Sequence, residues 1–282
     1  MLIILTKRAM SKEIEFGIPI ISVGNIIVGG SGKTPVTIKL ASKYDENACI
    51  ILRGYGRASK GLYVVSLNGK ILEDVKTSGD EAMLLANSLP KATIIVSENR
   101  IKAILKAKEL GCKIIFLDDG FSKYQISKFN ILLRPKDEPT NIFCLPSGGY
   151  REPKGFYAQA DIELVEGTDF KRVINIKKDG IISKLPTKTI LITAISKPKR
   201  LLEYLPKDIK MISFPDHYTF TKEDILKIQE ENKDFSFVTT GKDFVKLKEF
   251  NIKNLYLMDL DIEISQNIDF SLMDEYISSF NK

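Results

Sequence analysis

The run Gly24-Asn25-Ile26-Ile27-Val28-Gly29-Gly30-Ser31-Gly32-Lys33-Thr34-Pro35 constrains this chain more than any other segment, because it sets a glycine-rich turn and a Lys-Thr pair directly after an apolar strand pattern. Such a turn is a phosphate cradle. Glycines at 29, 30 and 32, with Ser31 between them, let successive backbone N–H groups point at one anion, while Lys33 reaches terminal phosphates and the Thr34 hydroxyl suits Mg2+. A helix beginning near Thr34 adds the positive end of its dipole. The strict pattern G-x-x-x-x-G-K-[ST] would put its first glycine at 27, where this chain carries Ile27, so the match is GGSGKT preceded by a displaced Gly24. The alternative, a glycine-rich hairpin turn, fits the strand-before, helix-after context less well.

A P-loop needs a sheet to stand on, and the remaining pattern predicts one. Strand patterns at residues 18–23, 49–52, 93–96, 113–117 and 130–133 alternate with helical patterns at 34–44, 81–89 and 100–110. Runs that are apolar throughout, such as residues 114–117, belong in a parallel sheet covered on both faces. The expected fold class is therefore α/β: a doubly wound, mostly parallel sheet with ligands at the C-terminal strand ends. Around residues 172–188 a charged stretch with Asp179-Gly180 between alternating residues reads as a hairpin connector. A second set follows, with strands at 190–194, 210–214, 235–239 and 255–260 and helices at 199–204, 222–232, 244–250 and 272–280. The expected division is 1–170, a P-loop domain; 171–188, a hairpin linker; and 189–282, a smaller α/β domain.

Composition narrows the function classes. At 282 residues, 44% hydrophobic, the chain suffices for two domains. A net charge of +6 is too mild to argue for nucleic acid but suits an acidic small molecule or an anionic membrane face. Cys49, Cys112 and Cys144 are widely spaced, which points to neither a disulfide framework nor a metal site and fits a reducing cytoplasm. The apolar opening at residues 1–5 meets Lys7 and Arg8 well short of the roughly 20 residues of a membrane span.

Asp118-Asp119-Gly120 follows the strand ending at Leu117, where a Walker-B carboxylate stands relative to a P-loop and can hold Mg2+ opposite Thr34. The bland alternative is a solvated Asp-Asp-Gly turn. Asp80 and Glu81 open a helix, which by itself is ordinary capping. Arg53 and Arg57, in Arg53-Gly54-Tyr55-Gly56-Arg57 after a strand end, suit bidentate phosphate recognition or a basic surface loop. His217, the only histidine, leaves a second-set strand. Thr239-Thr240-Gly241-Lys242-Asp243 also ends a strand, but its T-x-K-D order is not the guanine-reading [NT]-K-x-D.

Taken in order, GNIIVGGSGKTP, RGYGR, SGDEAMLL, SENR, LDDGF, LPSGGYREP, AISKPKRLLEYL, FPDHYTF and TTGKDFVKL resemble the tetraacyldisaccharide 4'-kinase family, the lipid A 4'-kinases, over residues 24 to 247. The resemblance implies transfer of the ATP γ-phosphate to the 4'-hydroxyl of a tetraacylated glucosamine disaccharide 1-phosphate, giving lipid IVA at the cytoplasmic face of the inner membrane. It implies two α/β domains joined by a two-stranded ribbon. It also implies ATP and Mg2+ at Gly29, Gly30, Ser31, Gly32, Lys33 and Thr34, with Asp118 and Asp119 as the Walker-B pair and Glu81 near the metal. Asp80, supported by His217, would deprotonate the acceptor, and Arg100, Arg151 and Glu152 would line the site. A peripheral protein, monomeric and without nucleic acid, is expected.

The chain departs from the family in three places. Ser122-Lys123 stands where members read Gln-His after DDGF, Ala82 replaces the proline of GDEP, and only residues 1–17 precede the first strand, so membrane contact is expected to rest on peripheral surface. Two rivals are a P-loop ATPase of the partitioning kind, which would carry a lysine where Val28 stands, and a nucleotide-gated binding protein without chemistry, in which Asp80 and His217 would stay apart.

Overall fold

The computed structural model describes residues 12–281. Residues 1–5, Lys7 and Arg8, candidates for membrane contact, lie outside that range. Two sheets form.

The first contains β1 (Ile20–Gly24), β2 (Ala48–Leu52), β3 (Tyr63–Leu67), β4 (Lys70–Ile71), β5 (Thr93–Val96), β6 (Ile114–Asp118), β7 (Phe129–Arg134) and β8 (Ile162–Val165), in the order β4-β3-β5-β2-β6-β1-β7-β8. The six strands from β5 to β8 run parallel, and the added edge pair β3 and β4 is antiparallel. β1, β2 and β6 are buried along their whole length, as strands apolar on both faces must be. The doubly wound α/β class expected from alternation is the one observed. β3, β4 and β8 were not legible in that pattern, because they lie at or near the sheet edges and mix polar with apolar residues.

The second sheet holds β9 (Phe170–Lys178), β10 (Ile181–Ile182), β11 (Thr189–Thr193), β12 (Lys210–Ser213), β13 (Ser236–Thr240) and β14 (Leu255–Ile264), in the order β10-β9-β14-β13-β11-β12. The Asp179-Gly180 turn forms with both residues at positive φ. β9 pairs only at its end with β10, whereas it pairs with β14 from Phe170↔Ile264 to Lys177↔Leu257. The ribbon between the sheets is thus β9 with β14. Its buried Phe170 and Ile262 join Val245 and Met273 in the same hydrophobic cluster as β1 and β6, so one core is continuous from sheet to sheet. The helix Ser271–Ser278 also crosses back: Ile20 N donates to Tyr276 Oη at 3.3 Å. Residues 199–204, expected as a helix, lie in a 3-10 helix that starts at Pro198. Among the described residues no helix is long and apolar enough to cross a membrane.

Candidate active site

The register Val23↔Asp118 puts the ends of β1 and β6 side by side, so the phosphate cradle and the Asp118-Asp119 turn open on one edge. Gly29 and Gly32 take φ of 116° and 82°, conformations an L side chain rarely adopts. The helix Lys33–Ala41 starts at Gly32 with no side-chain cap, which leaves its first N–H groups free for an anion. Ser31 Oγ and Asn25 Nδ2, both buried here, have no hydrogen-bond partner among the described residues, and a phosphate supplies acceptors of the kind they lack. Ile27, standing where the strict motif has glycine, is buried and bridged to Tyr150, so that position serves packing beneath the cradle.

Thr34 Oγ1 donates to Asp118 Oδ2 at 2.7 Å. Burial, with Glu81 beside it, pushes the Asp118 carboxyl up to about 6 despite the Thr34 bond and Lys33. A hydroxyl against a carboxylate in an anion-rich pocket fits a hard divalent cation bound largely through nucleotide phosphates. Among the described residues no three His, Cys, Asp or Glu side chains are grouped to hold a metal by themselves. Asp119, at φ 57°, turns the other way. It accepts a bidentate pair from Arg151 at 2.9 and 3.0 Å and faces Lys33 at 3.9 Å, and against its burial these cations hold its carboxyl below the ordinary range. Lys33 also donates to Asn25 Oδ1 at 3.2 Å, which Arg151 shares.

Asp80, at the first position of the helix Asp80–Ser88, is 6% exposed and meets His217 Nδ1 at 3.1 Å. His217 sits in the loop after β12 at φ 58°, its N–H donating to Ala194 O at 3.1 Å. The Asp80 bond raises the imidazole pKa against an opposing effect of burial. Burial acts to raise the Asp80 carboxyl, but His217, Lys242 and Lys246 together hold it low. The pair is therefore charged on both sides at mildly acidic pH. Tyr55, 68% exposed, lies against the ring with centroids 5.3 Å apart.

The other expected residues divide. Arg100 is buried, donates to Ser97 O, and has its pKa lowered to about 10 by burial, with Asp118 and Asp119 opposing and Arg53 assisting. Lys123 has its pKa lowered by burial and by Arg100 and Arg53, with Asp119 opposing, so it belongs to the same cationic cluster. Glu152 is buried under the cradle with Oε2 unpartnered. Arg57 is not brought to the site: its guanidinium is spent on Glu98, Ser59 and the Gly61 carbonyl, fixing the loop that carries Tyr55 and Gly56. Sequence reasoning gave no role to Lys242, which donates to Glu81 Oε1, or to Lys246, whose Nζ stands 3.8 Å from Asp80 and 3.0 Å from Asp243. The signal was there, two lysines four residues apart on one helix face just after a strand end.

A family model described as LpxK, tetraacyldisaccharide-1-P 4'-kinase, matches residues 2–277. A curated protein named tetraacyldisaccharide 4'-kinase from Aliarcobacter butzleri is 75% identical over 280 residues, covering 99% of this chain and 89% of that one. Another of the same name from Helicobacter pylori is 46% identical over 276 residues, covering 97% and 85%. Among solved structures, LpxK from Aquifex aeolicus in complex with ATP superposes with a TM-score of 0.76 at 28% identity, covering 98% of this chain and 92% of that one.

Proposed function

The chain belongs to the tetraacyldisaccharide 4'-kinase family of lipid A biosynthesis, and from that premise we propose how its site carries the γ-phosphate of ATP to the 4'-hydroxyl of a tetraacylated disaccharide 1-phosphate, giving lipid IVA. The observation that best supports the chemistry is the 3.1 Å contact between Asp80 and His217, which brings a carboxylate of the first sheet and an imidazole of the second to one point. A nucleotide-gated binding protein has no need of that pair.

Ionised Asp80 accepts the hydroxyl proton while the acceptor oxygen bonds to phosphorus and the bond to ADP breaks; His217 fixes the carboxylate's orientation. Lys33 and the N–H groups of residues 29–34 hold the phosphate chain and take up charge on the phosphoryl oxygens. Thr34, Asp118 and Glu81 are the residues that would hold Mg2+, which would supply positive charge against the anionic phosphates. Arg151 serves by fixing Asp119. Arg53, Arg100 and Lys123 form the basic wall suited to the acceptor's 1-phosphate.

Because the reacting groups come from both sheets, closure of the units 1–170 and 189–282 about their link would gate the reaction. Ile142, Phe143 and Leu145 are 62%, 66% and 56% exposed on the loop that also bonds Val28 beside the cradle, since Val28 N donates to Gly149 O at 2.9 Å. We assign this apolar rim to the acyl chains of a lipid surface, the cytoplasmic face of the inner membrane. The deciding assay combines purified protein, Mg-ATP and the disaccharide 1-phosphate lipid, with products resolved by chromatography. ATP hydrolysis without a phosphorylated lipid would sink the proposal and favour the ATPase reading.

A further inference from the structure

The run after β13 is the part of the chain that the reaction above leaves unused. Thr240 caps the helix Gly241–Leu247, its Oγ1 accepting from Asp243 N at 3.3 Å. A Cβ at Gly241 would stand 3.0 Å from Leu84 Cδ1, a tight approach that reflects how closely this helix lies on Asp80–Ser88. That approach brings Lys242 over the first turn of the neighbouring helix. Its ammonium donates to Glu81 Oε1, and its electrostatic surroundings also include Asp80 and Asp118. Burial opposes its charge, but the three carboxylates together keep its pKa above the ordinary lysine value.

The three carboxylates belong to the first sheet and the ammonium to the second. Lys242 therefore compensates the same anionic cluster that a divalent cation at Thr34 and Asp118 would compensate. An isolated pair with side chains 33% and 28% exposed adds little to stability, so stability alone is a weak reason to set an ammonium there. Lysine, a point charge on a flexible four-carbon stem, can change partners where arginine's fork would hold a carboxylate in fixed geometry.

We propose that Lys242 is a tethered stand-in for the metal, pairing with Glu81 until a divalent cation displaces it and then donating to the phosphoryl group in transfer. Its first half stands on the carboxylate cluster alone, and its second half rests on the kinase reading above. Displacement follows from charge: a doubly charged ion at Glu81 repels the ammonium, and the transferring phosphate is the anion the reaction brings to that cluster.

The test uses Lys242→Met, Lys242→Gln and Lys242→Arg in the full chain. Mn2+ binding to the protein saturated with a non-hydrolysable ATP analogue is read by electron paramagnetic resonance of the free ion. Both neutral variants are expected to bind Mn2+ about two- to fivefold more tightly than the original protein, the arginine variant no more tightly. In the lipid kinase assay the neutral variants should lose roughly 10²–10³-fold in kcat with little change in KM for ATP. Tighter metal and slower chemistry is a combination that a structural lysine does not give. Thermal melting identifies which variants are folded, and two neutral substitutions guard against one failing to fold. Unchanged or weaker Mn2+ binding in a folded neutral variant overturns the stand-in role. Near-native kcat in that variant overturns the phosphoryl contact. Because Mn2+ binding needs no turnover, a protein that phosphorylates no lipid would refute the kinase reading and leave the metal competition measurable.

Discussion

His217→Ala removes the only imidazole in the chain from its 3.1 Å contact with Asp80. If His217 orients the base, kcat falls by roughly 10²–10⁴-fold, the range for a positioned proton-transfer group, which is about 2.7–5.4 kcal/mol of barrier. KM for ATP stays nearly constant, since Lys33, Thr34 and Asp118 lie on the first sheet and have no hydrogen bond to the imidazole. A stability effect accompanies the kinetic one. A hydrogen bond to a charged group contributes about 1.5–3 kcal/mol, and Lys246, 3.8 Å from Asp80, remains to offset part of the loss. A drop near the lower end of that range is expected, read as a melting temperature a few degrees lower.

That stability effect depends on pH with a definite sign. The imidazole pKa is raised by Asp80, so its stabilisation is complete below the unfolded value of about 6.5 and is lost as pH rises through the folded value above it. The Asp80 pKa is lowered, so its share is present above the unfolded value of about 3.9 and is lost as pH falls through the folded value. The melting difference between the two proteins should thus be widest between about pH 4 and 6.5. His217→Asn tests the backbone separately, because asparagine tolerates the left-handed φ of 58°. It should melt no lower than the alanine variant and be equally slow. A folded His217→Ala enzyme with near-native kcat would remove His217 from the mechanism.

Lys33→Ala should abolish turnover with melting nearly unchanged, because Arg151 still holds Asp119; substantial residual kinase activity would count against the P-loop assignment. Asp118→Asn should raise the Mg2+ requirement more than Asp119→Asn, since Asp118 holds Thr34 while Asp119 is committed to Arg151; equal magnesium titrations would refute this ordering. At limiting Mg2+, activity should fall as pH drops through about 6, where the Asp118 carboxyl takes up a proton, and added Mg2+ should restore it. Gly56→Ala sets a Cβ 3.1 Å from the His217 ring at a φ of 73°, so about 1–2 kcal/mol of stability is lost. Its kcat should fall as well, and a Gly56→Ala/His217→Ala double variant no slower than His217→Ala alone would show that both act through the imidazole. The protein should partition onto anionic vesicles, with salt releasing part of it and detergent the remainder, since charge attraction and the apolar rim at Ile142, Phe143 and Leu145 act together; complete release by salt would remove the rim from membrane contact.

Local chemistry made much of this protein legible in the chain. GGSGKT marked its own cradle because glycine alone adopts the φ values of Gly29 and Gly32 at little cost. Uniformly apolar runs marked β1, β2 and β6 because both faces of a parallel sheet are covered. The Asp118-Asp119 turn was found by its place after a strand, yet which carboxylate faces Thr34 depends on a φ of 57° at Asp119 and on Arg151, a residue 32 positions away. Arg57 suits a phosphate or a basic surface loop by sequence, and its pairing with Glu98, 41 residues distant, is what commits it to the loop. The pairing of β9 with β14, the convergence of Asp80 with His217 and of Glu81 with Lys242, and the rise of the Asp118 pKa all join groups far apart in the chain. Motifs carry residue type and local backbone preference, and these sequence alone determined; distance, burial and the sign of a neighbour's charge arise only when the two sheets pack, so the tertiary structure decided them.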